Sequence, residues 1–237
     1  MTVERGRKKT TCVIATVKPW NIKEARVFMR RNPSVRARLV TRPKGMSYAA
    51  MKKINPDYVF FPHWSRRIPE KVHKNFTCVV FHMTDLPYGR GGTPLQNLII
   101  RKARATKISA IKASDEIDAG PVYLKKGLRL DGTAEEIYRR ASRIIFGDMI
   151  PRIIRTGPSA KPQKGRVTRF KRLKAADGRL PLKAGLDEIY DRIRMLDADG
   201  YPKAFVKHGR LVIRFSSARR LKNAVEAKVT VTFKEAI

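Results

Sequence analysis

The chain has 237 residues, enough for one domain of ordinary size or a larger domain with a small appendage, and 42% hydrophobic content excludes wholesale disorder. Lys and Arg number 53 against 20 Asp and Glu, a net charge of +33 that attracts polyanions and favours nonspecific nucleic-acid contact at low salt. The cations are spread through the whole sequence, so a solvated cationic surface and a selected polyanion site both remain open. No apolar run reaches the roughly 20 residues that cross a bilayer, and the basic start "MTVERGRKKTTCVIATVKPWN" lacks a signal-peptide cleavage pattern. The expectation is a cytoplasmic protein with no membrane attachment.

In chain order, residues 12–17 form a short β-branched run that Pro19 breaks, and residues 22–31 suit a helix. Residues 37–40 read as a strand and 46–54 as a helix. A turn at Asn55-Pro56 leads into a buried strand at 58–61, and "FTCVVFHM" supplies the next, from residue 76 to 81. A helix over 95–103, a strand over 107–113 and an extended run "EIDAGPVYLKKGLRL" follow. The clearest helix is "TAEEIYRRASRIIFGDMI": Thr133 and Glu136 make a capping box, and Ile137, Ala141, Ile144 and Ile145 fall on one core-facing stripe. Strands alternating with helices predict βαβ units and a mostly parallel sheet with flanking helices, an α/β fold.

Composition then shifts to the Gly-, Pro- and Lys/Arg-rich "TGPSAKPQKGRVTRFKRLKAADGRLPLKAG", which suits a linker crossing the surface. Leu186, Ile189, Tyr190 and Ile193 mark one more amphipathic helix. "AFVKHGRLVIRF" reads as a hairpin turning at His208-Gly209, and "VEAKVTVTF" as a last strand. The expected organisation is a main domain at 1–156, a basic linker at 157–185 and a small C-terminal α+β subdomain at 186–237. Cys12 and Cys78 sit in apolar strand-like runs, as buried free thiols do, and no Cys/His cluster has metal-ligand spacing.

"FHMTDLPYGRGGTPLQN" stands out in so basic a chain because it holds one of four histidines, two prolines and three glycines but a single arginine. Ligands in a βαβ sheet sit at the carboxyl ends of the strands. His82 lies at such an end, and Asp118 in "IDAGPVY" follows another strand. A histidine and a carboxylate meeting at one sheet edge can share an acyl transfer, the carboxylate accepting a proton and the imidazolium stabilising an oxyanion. Arg90 could fix the loop or touch substrate. His63-Trp64 could be ordinary packing or part of a ligand pocket, and His73 and His208 read as surface residues.

The run from His82 through Thr84, Leu86-Pro87 and Arg90-Gly91 to Pro94 resembles the H-x-S-x-L-P-x-x-R-G-x-x-P signature of 10-formyltetrahydrofolate-dependent formyltransferases. "Asp118-Ala-Gly120-Pro" resembles the D-x-G motif of that family, and "PDYVFFPHWSRRIP" the strand and loop lining its folate pocket. The likeness continues through "RVTRFKRLKAADGRLPL" and "DEIYDRIRMLDADGYPKAFV". It implies a Rossmann-like formyltransferase fold and a formyl transfer from 10-formyltetrahydrofolate, a co-substrate, to a primary amine, with no metal. It implies catalytic roles for His82, Asp118 and Thr84, and a folate site from Phe61, Pro62, His63, Trp64, Arg90, Gly91 and Gly120. The family's asparagine two residues before the histidine is replaced by Val80. Either another donor serves, Asn97 or a backbone amide at Gly91-Gly92, or the reaction is slower by the roughly 10²–10³ that one such donor supplies in other enzymes.

The interval between the first strand and "NPDYVFF" and the C-terminal region are both shorter than the resemblance to the tRNA-formylating members implies, and since those members hold their large acceptor with these regions, the resemblance favours a small anionic acceptor, a nucleotide-linked amino sugar. Charged initiator tRNA, as in methionyl-tRNA formyltransferase, is the alternative that the charge favours. A non-catalytic nucleic-acid-binding protein on the same fold is a third reading, without a recognised RNA or DNA motif to carry it. A homodimer fits any of them.

Overall fold

A computed structural model describes residues 9–181 and 183–233. Residues 1–8, the basic first part of the run that lacks a signal-peptide cleavage pattern, lie outside them. The first strand is β1 (Thr11–Ala15), followed by helix α1 (Pro19–Arg31), β2 (Arg36–Val40), α2 (Tyr48–Ile54) and β3 (Tyr58–Pro62). Pro19, expected only to break the strand, occupies the first turn of α1, where a missing N–H costs nothing. Asn55 caps α2 in the left-handed region at φ 47°, a conformation asparagine tolerates. Next come α3 (Glu70–Asn75), β4 (Cys78–His82), the two-residue β5 (Arg90–Gly91), α4 (Pro94–Ile100), β6 (Ala105–Lys112) and β7 (Val122–Arg129).

These strands form a six-stranded sheet of order β2-β1-β3-β4-β6-β7. The first four run parallel, whereas β6 lies antiparallel to β4 and β7 antiparallel to β6. The central strands are apolar throughout because both of their faces are covered. Cys12, Ile14, Phe60, Val79 and Phe81 join one cluster with α1 and α4; Val13, Ala15, Val59 and Phe61 join another with Met51 of α2 and Val72 of α3.

The first cluster is completed by α5 (Ala134–Ile144), a π-helical turn (Ile145–Met149) and α6 (Ile150–Thr156). The capping box of α5 is present in both directions, Glu136 N–H to Thr133 Oγ1 at 3.3 Å and Thr133 N–H to Glu136 Oε2 at 2.7 Å. The chain then returns to the front of the sheet as β8 (Arg169–Phe170), paired with β5. Helix α7 (Leu186–Arg194) and the antiparallel strands β9 (Ala204–His208), β10 (Leu211–Arg220) and β11 (Val225–Phe233) follow, with the hairpin at His208-Gly209. Ile193, Met195 and Ala204 enter the first core cluster, so this region docks on the main sheet through apolar burial.

Candidate active site

β4 carries His82 to the rim of the sheet, where it is 7% exposed. Its Nε2 lies 2.8 Å from the carbonyl oxygen of Gly89. A carbonyl only accepts, so Nε2 bears the hydrogen and donates it. On the other side of the ring, Nδ1 stands 3.4 Å from Asp118 Oδ1, an ion-pair distance longer than a good hydrogen bond. The second carboxylate oxygen, Oδ2, accepts the Gly91 amide at 3.0 Å. Thr84 is fully buried and its hydroxyl points at the same Gly89 carbonyl, at 3.5 Å.

The pair forms, but not for the reason the strand ends gave. Because β6 is antiparallel, His82 faces Ser109 and Val79 faces Lys112, so the chain leaves β6 where β4 begins. Asp118 reaches His82 because residues 113–121 double back. Asp118 itself takes φ 57°, the Lys112 amide donates to the Pro121 carbonyl at 2.9 Å, and Gln163 Nε2 donates to the Asp118 and Gly120 carbonyls at 2.8 Å each. Gly120, expected to admit a ligand, instead admits its own strand: a Cβ there would run into the Lys112 carbonyl oxygen.

Arg90 braces the same loop. Its Nε and Nη2 donate to Gln163 Oε1 at 3.2 and 2.8 Å, and Nη1 reaches Glu116 at 3.5 Å. Asn97, one stand-in for the missing asparagine, is not free, and of the Gly91-Gly92 amides that of Gly91 is already engaged. Asn97 Nδ2 is spent on the carbonyls of Gly92, Thr93 and Lys171, and the Gly91 amide is spent on Asp118. Gln163 had no signal in sequence, since one glutamine in a basic, aperiodic run carries none.

The residues expected to line the folate site divide between the two faces of the sheet. Phe61 and Trp64 contact each other at 5.9 Å between rings and pack on the α2–α3 side with Val80 and Ala113. His63, at φ 50°, turns to the opposite side against Trp20 and Tyr138. There Nδ1 meets Asn21 Nδ2 at 2.9 Å and Nε2 meets Met83 Sδ at 3.1 Å. Burial first, and then the Lys18 ammonium, push His63 down to about 4, which keeps the ring neutral. The buried Pro62 carbonyl accepts from Thr16 Oγ1 and Asn21 Nδ2. His73, expected at the surface, has a side chain only 8% exposed and faces Asp115 at 3.5 Å. Two hollows lie away from the pair, one along Pro19, Lys23 and Arg30 of α1, the other beside Phe205, Arg214 and Phe233 of the small sheet. The His82 and Asp118 side chains are 7% and 11% exposed. Among the described residues no group of three or more His, Cys, Asp or Glu could hold a metal ion, and no helix is long and apolar enough to cross a membrane.

A largely parallel α/β sheet with a covered imidazole–carboxylate pair on a His-x-Thr-x-Leu-Pro loop has the layout of a formyl-transfer enzyme. Residues 175–232 match the family model "Methionyl-tRNA formyltransferase, C-terminal domain". The methionyl-tRNA formyltransferase of Clostridium thermocellum superposes with a TM-score of 0.94 and 47% identity, over 95% of this chain and 100% of that one. A curated methionyl-tRNA formyltransferase from Thermodesulfovibrio yellowstonii is 22% identical over 61% of this chain and 49% of its own, so the chain spans about half the length of such relatives. HypX from Aquifex aeolicus, solved with tetrahydrofolic acid, shares the fold at a TM-score of 0.73 and 15% identity, over 89% of this chain and 38% of that one. The chain belongs to the formyltransferase family.

These matches overturn the amino-sugar acceptor. That reading rested on compactness before β3 and after α7, but the Clostridium thermocellum methionyl-tRNA formyltransferase is covered from end to end by this chain. A compact chain therefore does not separate the acceptor classes.

Proposed function

We propose that the protein transfers a formyl group from 10-formyltetrahydrofolate to the α-amine of methionyl-tRNA. The observation that carries the reading is the 47% identity maintained across the whole of a methionyl-tRNA formyltransferase. The net charge of +33 suits a polyanionic acceptor, and Lys164, Arg166, Lys171 and Arg172 lie exposed along the strap that includes β8.

The residues present fit a pterin. Among the described residues Trp64 Nε1 is buried without a partner, a donor that a ligand's ring nitrogen or carbonyl could take, and its indole packs against the buried Phe61. Bound there, 10-formyltetrahydrofolate supplies the formyl carbonyl and a leaving nitrogen. Attack requires an uncharged amine that sheds a proton as the new C–N bond forms. Asp118, anchored through Oδ2 to the Gly91 amide, offers Oδ1. His82, its Nε2–H committed to Gly89, offers the Nδ1 lone pair. Together they take the amine's proton, hold it at Nδ1 against the carboxylate, and return it to the departing nitrogen as the old C–N bond breaks. With Val80 in the asparagine's place, this protonated ring is the main charge available to the developing oxyanion.

Purified protein given 10-formyltetrahydrofolate and methionyl initiator tRNA should produce N-formylmethionyl-tRNA. If six or more phosphates are contacted, affinity should fall roughly 10³-fold between 50 and 200 mM salt. Absence of formylated tRNA at low salt would defeat the reading.

A further inference from the structure

The segment before α7 does more than connect. Gly89 sits in the left-handed region at φ 73° and has no side chain to fix where its carbonyl points, so its neighbours set that direction. Its amide donates to Thr168 Oγ1 at 2.7 Å, and the next amide, that of Arg90, donates to the Thr168 carbonyl at 3.0 Å. The Phe170 ring closes the remaining side so tightly that a Cβ on Gly89 would stand 2.6 Å from it. Phe170 is in turn covered by the Arg101 guanidinium, 4.6 Å from the ring centre. The Gly89 carbonyl, thus aimed, takes the hydrogen of His82 Nε2 at 2.8 Å.

A neutral imidazole carries its hydrogen on one nitrogen only. Left alone with Asp118, His82 would place it on Nδ1, where a carboxylate makes the stronger, charge-assisted bond. That tautomer has no lone pair at Nδ1 to receive a proton from an amine. It would also set the Nε2 lone pair against the lone pairs of the Gly89 carbonyl. The 3.4 Å between Nδ1 and Asp118 Oδ1 is longer than the 2.7–2.9 Å of a charge-assisted bond, so the stronger of the two ring contacts is the one from Nε2 to the Gly89 carbonyl at 2.8 Å.

We infer that Thr168 is a positioning residue for His82: its hydroxyl, holding the Gly89 amide, and its carbonyl, holding the Arg90 amide of the peptide that carries the Gly89 oxygen, together aim that oxygen at Nε2–H, keep the ring in the Nε2–H tautomer and leave Nδ1 open as the proton acceptor. The strap at 157–185 is then part of the working site, and its exposed cations lie next to the residue that sets the histidine. The kinetic consequence rests on the formyl-transfer reading, whereas the tautomer does not.

The test uses the full chain, Thr168→Val, which removes the hydroxyl at nearly constant shape, and Thr168→Ser, which restores it. Nitrogen-15 NMR of the ring nitrogens, with His82 assigned through His82→Gln, reads the tautomer. Wild type and Thr168→Ser should show Nε2–H at His82, and Thr168→Val should move toward Nδ1–H. In the formylation assay Thr168→Val should lose at least tenfold in kcat with KM for methionyl-tRNA little changed, and Thr168→Ser should recover it. A wild-type His82 with its hydrogen on Nδ1 overturns the inference even if Thr168→Val does not fold, and so does a folded Thr168→Val that keeps Nε2–H. If the tautomers behave as stated while wild type forms no formylated product, the proposed reaction fails and the positioning role stands.

Discussion

Replacing Asp118 with asparagine removes one charge from beside His82 at nearly constant shape. The amide has the carboxylate's shape, and its oxygen can keep the Gly91 amide that Oδ2 now holds at 3.0 Å. Its NH2 group then faces Nδ1, where it occupies the lone pair that should receive the amine's proton. When the ring takes that proton it becomes a cation 3.4 Å from Oδ1, and at an effective dielectric of about 20 two such charges attract by about 5 kcal/mol. Side-chain exposures of 7% and 11% leave limited screening by water, so we expect about 3–4 kcal/mol to survive, a loss on the order of 10²–10³ in kcat. Single-turnover formation of N-formylmethionyl-tRNA at saturating 10-formyltetrahydrofolate measures the loss, and a thermal melt checks that the fold survives. A folded Asp118→Asn protein turning over within threefold of wild type would refute the reasoning.

Gly89→Ala should lower both stability and activity, because the new Cβ meets the Phe170 ring at 2.6 Å in a left-handed conformation, costing on the order of 2 kcal/mol; calorimetry and the formylation rate report it. His63 sets an acid limit. Its folded value is pushed down to about 4 from the ordinary 6.5, so the unfolded chain binds the proton first. That contribution is complete above pH 6.5 and is lost as pH falls toward 4, by roughly 3 kcal/mol. Melting temperatures across that range should fall in wild type and fall less in His63→Gln. Burial pushes the Cys12 and Cys78 thiols up to about 12, so a thiol reagent at pH 8 should label neither cysteine in the native protein and both after unfolding.

What the residues revealed in advance were features with a period or a cap. The apolar runs of β1 and β3 are visible because both faces of those strands are covered, and α5 because its capping box and its stripe agree. Helix α3 escaped notice, as six residues with one buried side chain, Val72, make no period. The candidate pair was named from strand ends and then from the motif, but its route was not readable: nothing in "SDEIDAG" says that β6 runs antiparallel or that Gln163 ties the Asp118 loop in place. Asn97 was a reasonable oxyanion donor by residue type. Its amide is consumed in closing the turn from Gly92 to Thr93 and in holding Lys171. Thr168 and Phe170 lay hidden for a simpler reason, since a two-residue strand in a basic run has no pattern to detect.

His82→Ala in the methionyl-tRNA formylation assay tests the account most directly, because every proposed step passes through that ring. The truncation should reduce kcat by at least 100-fold while the melting temperature stays within a few degrees of wild type. A variant that folds normally and formylates at close to the wild-type rate would contradict the account.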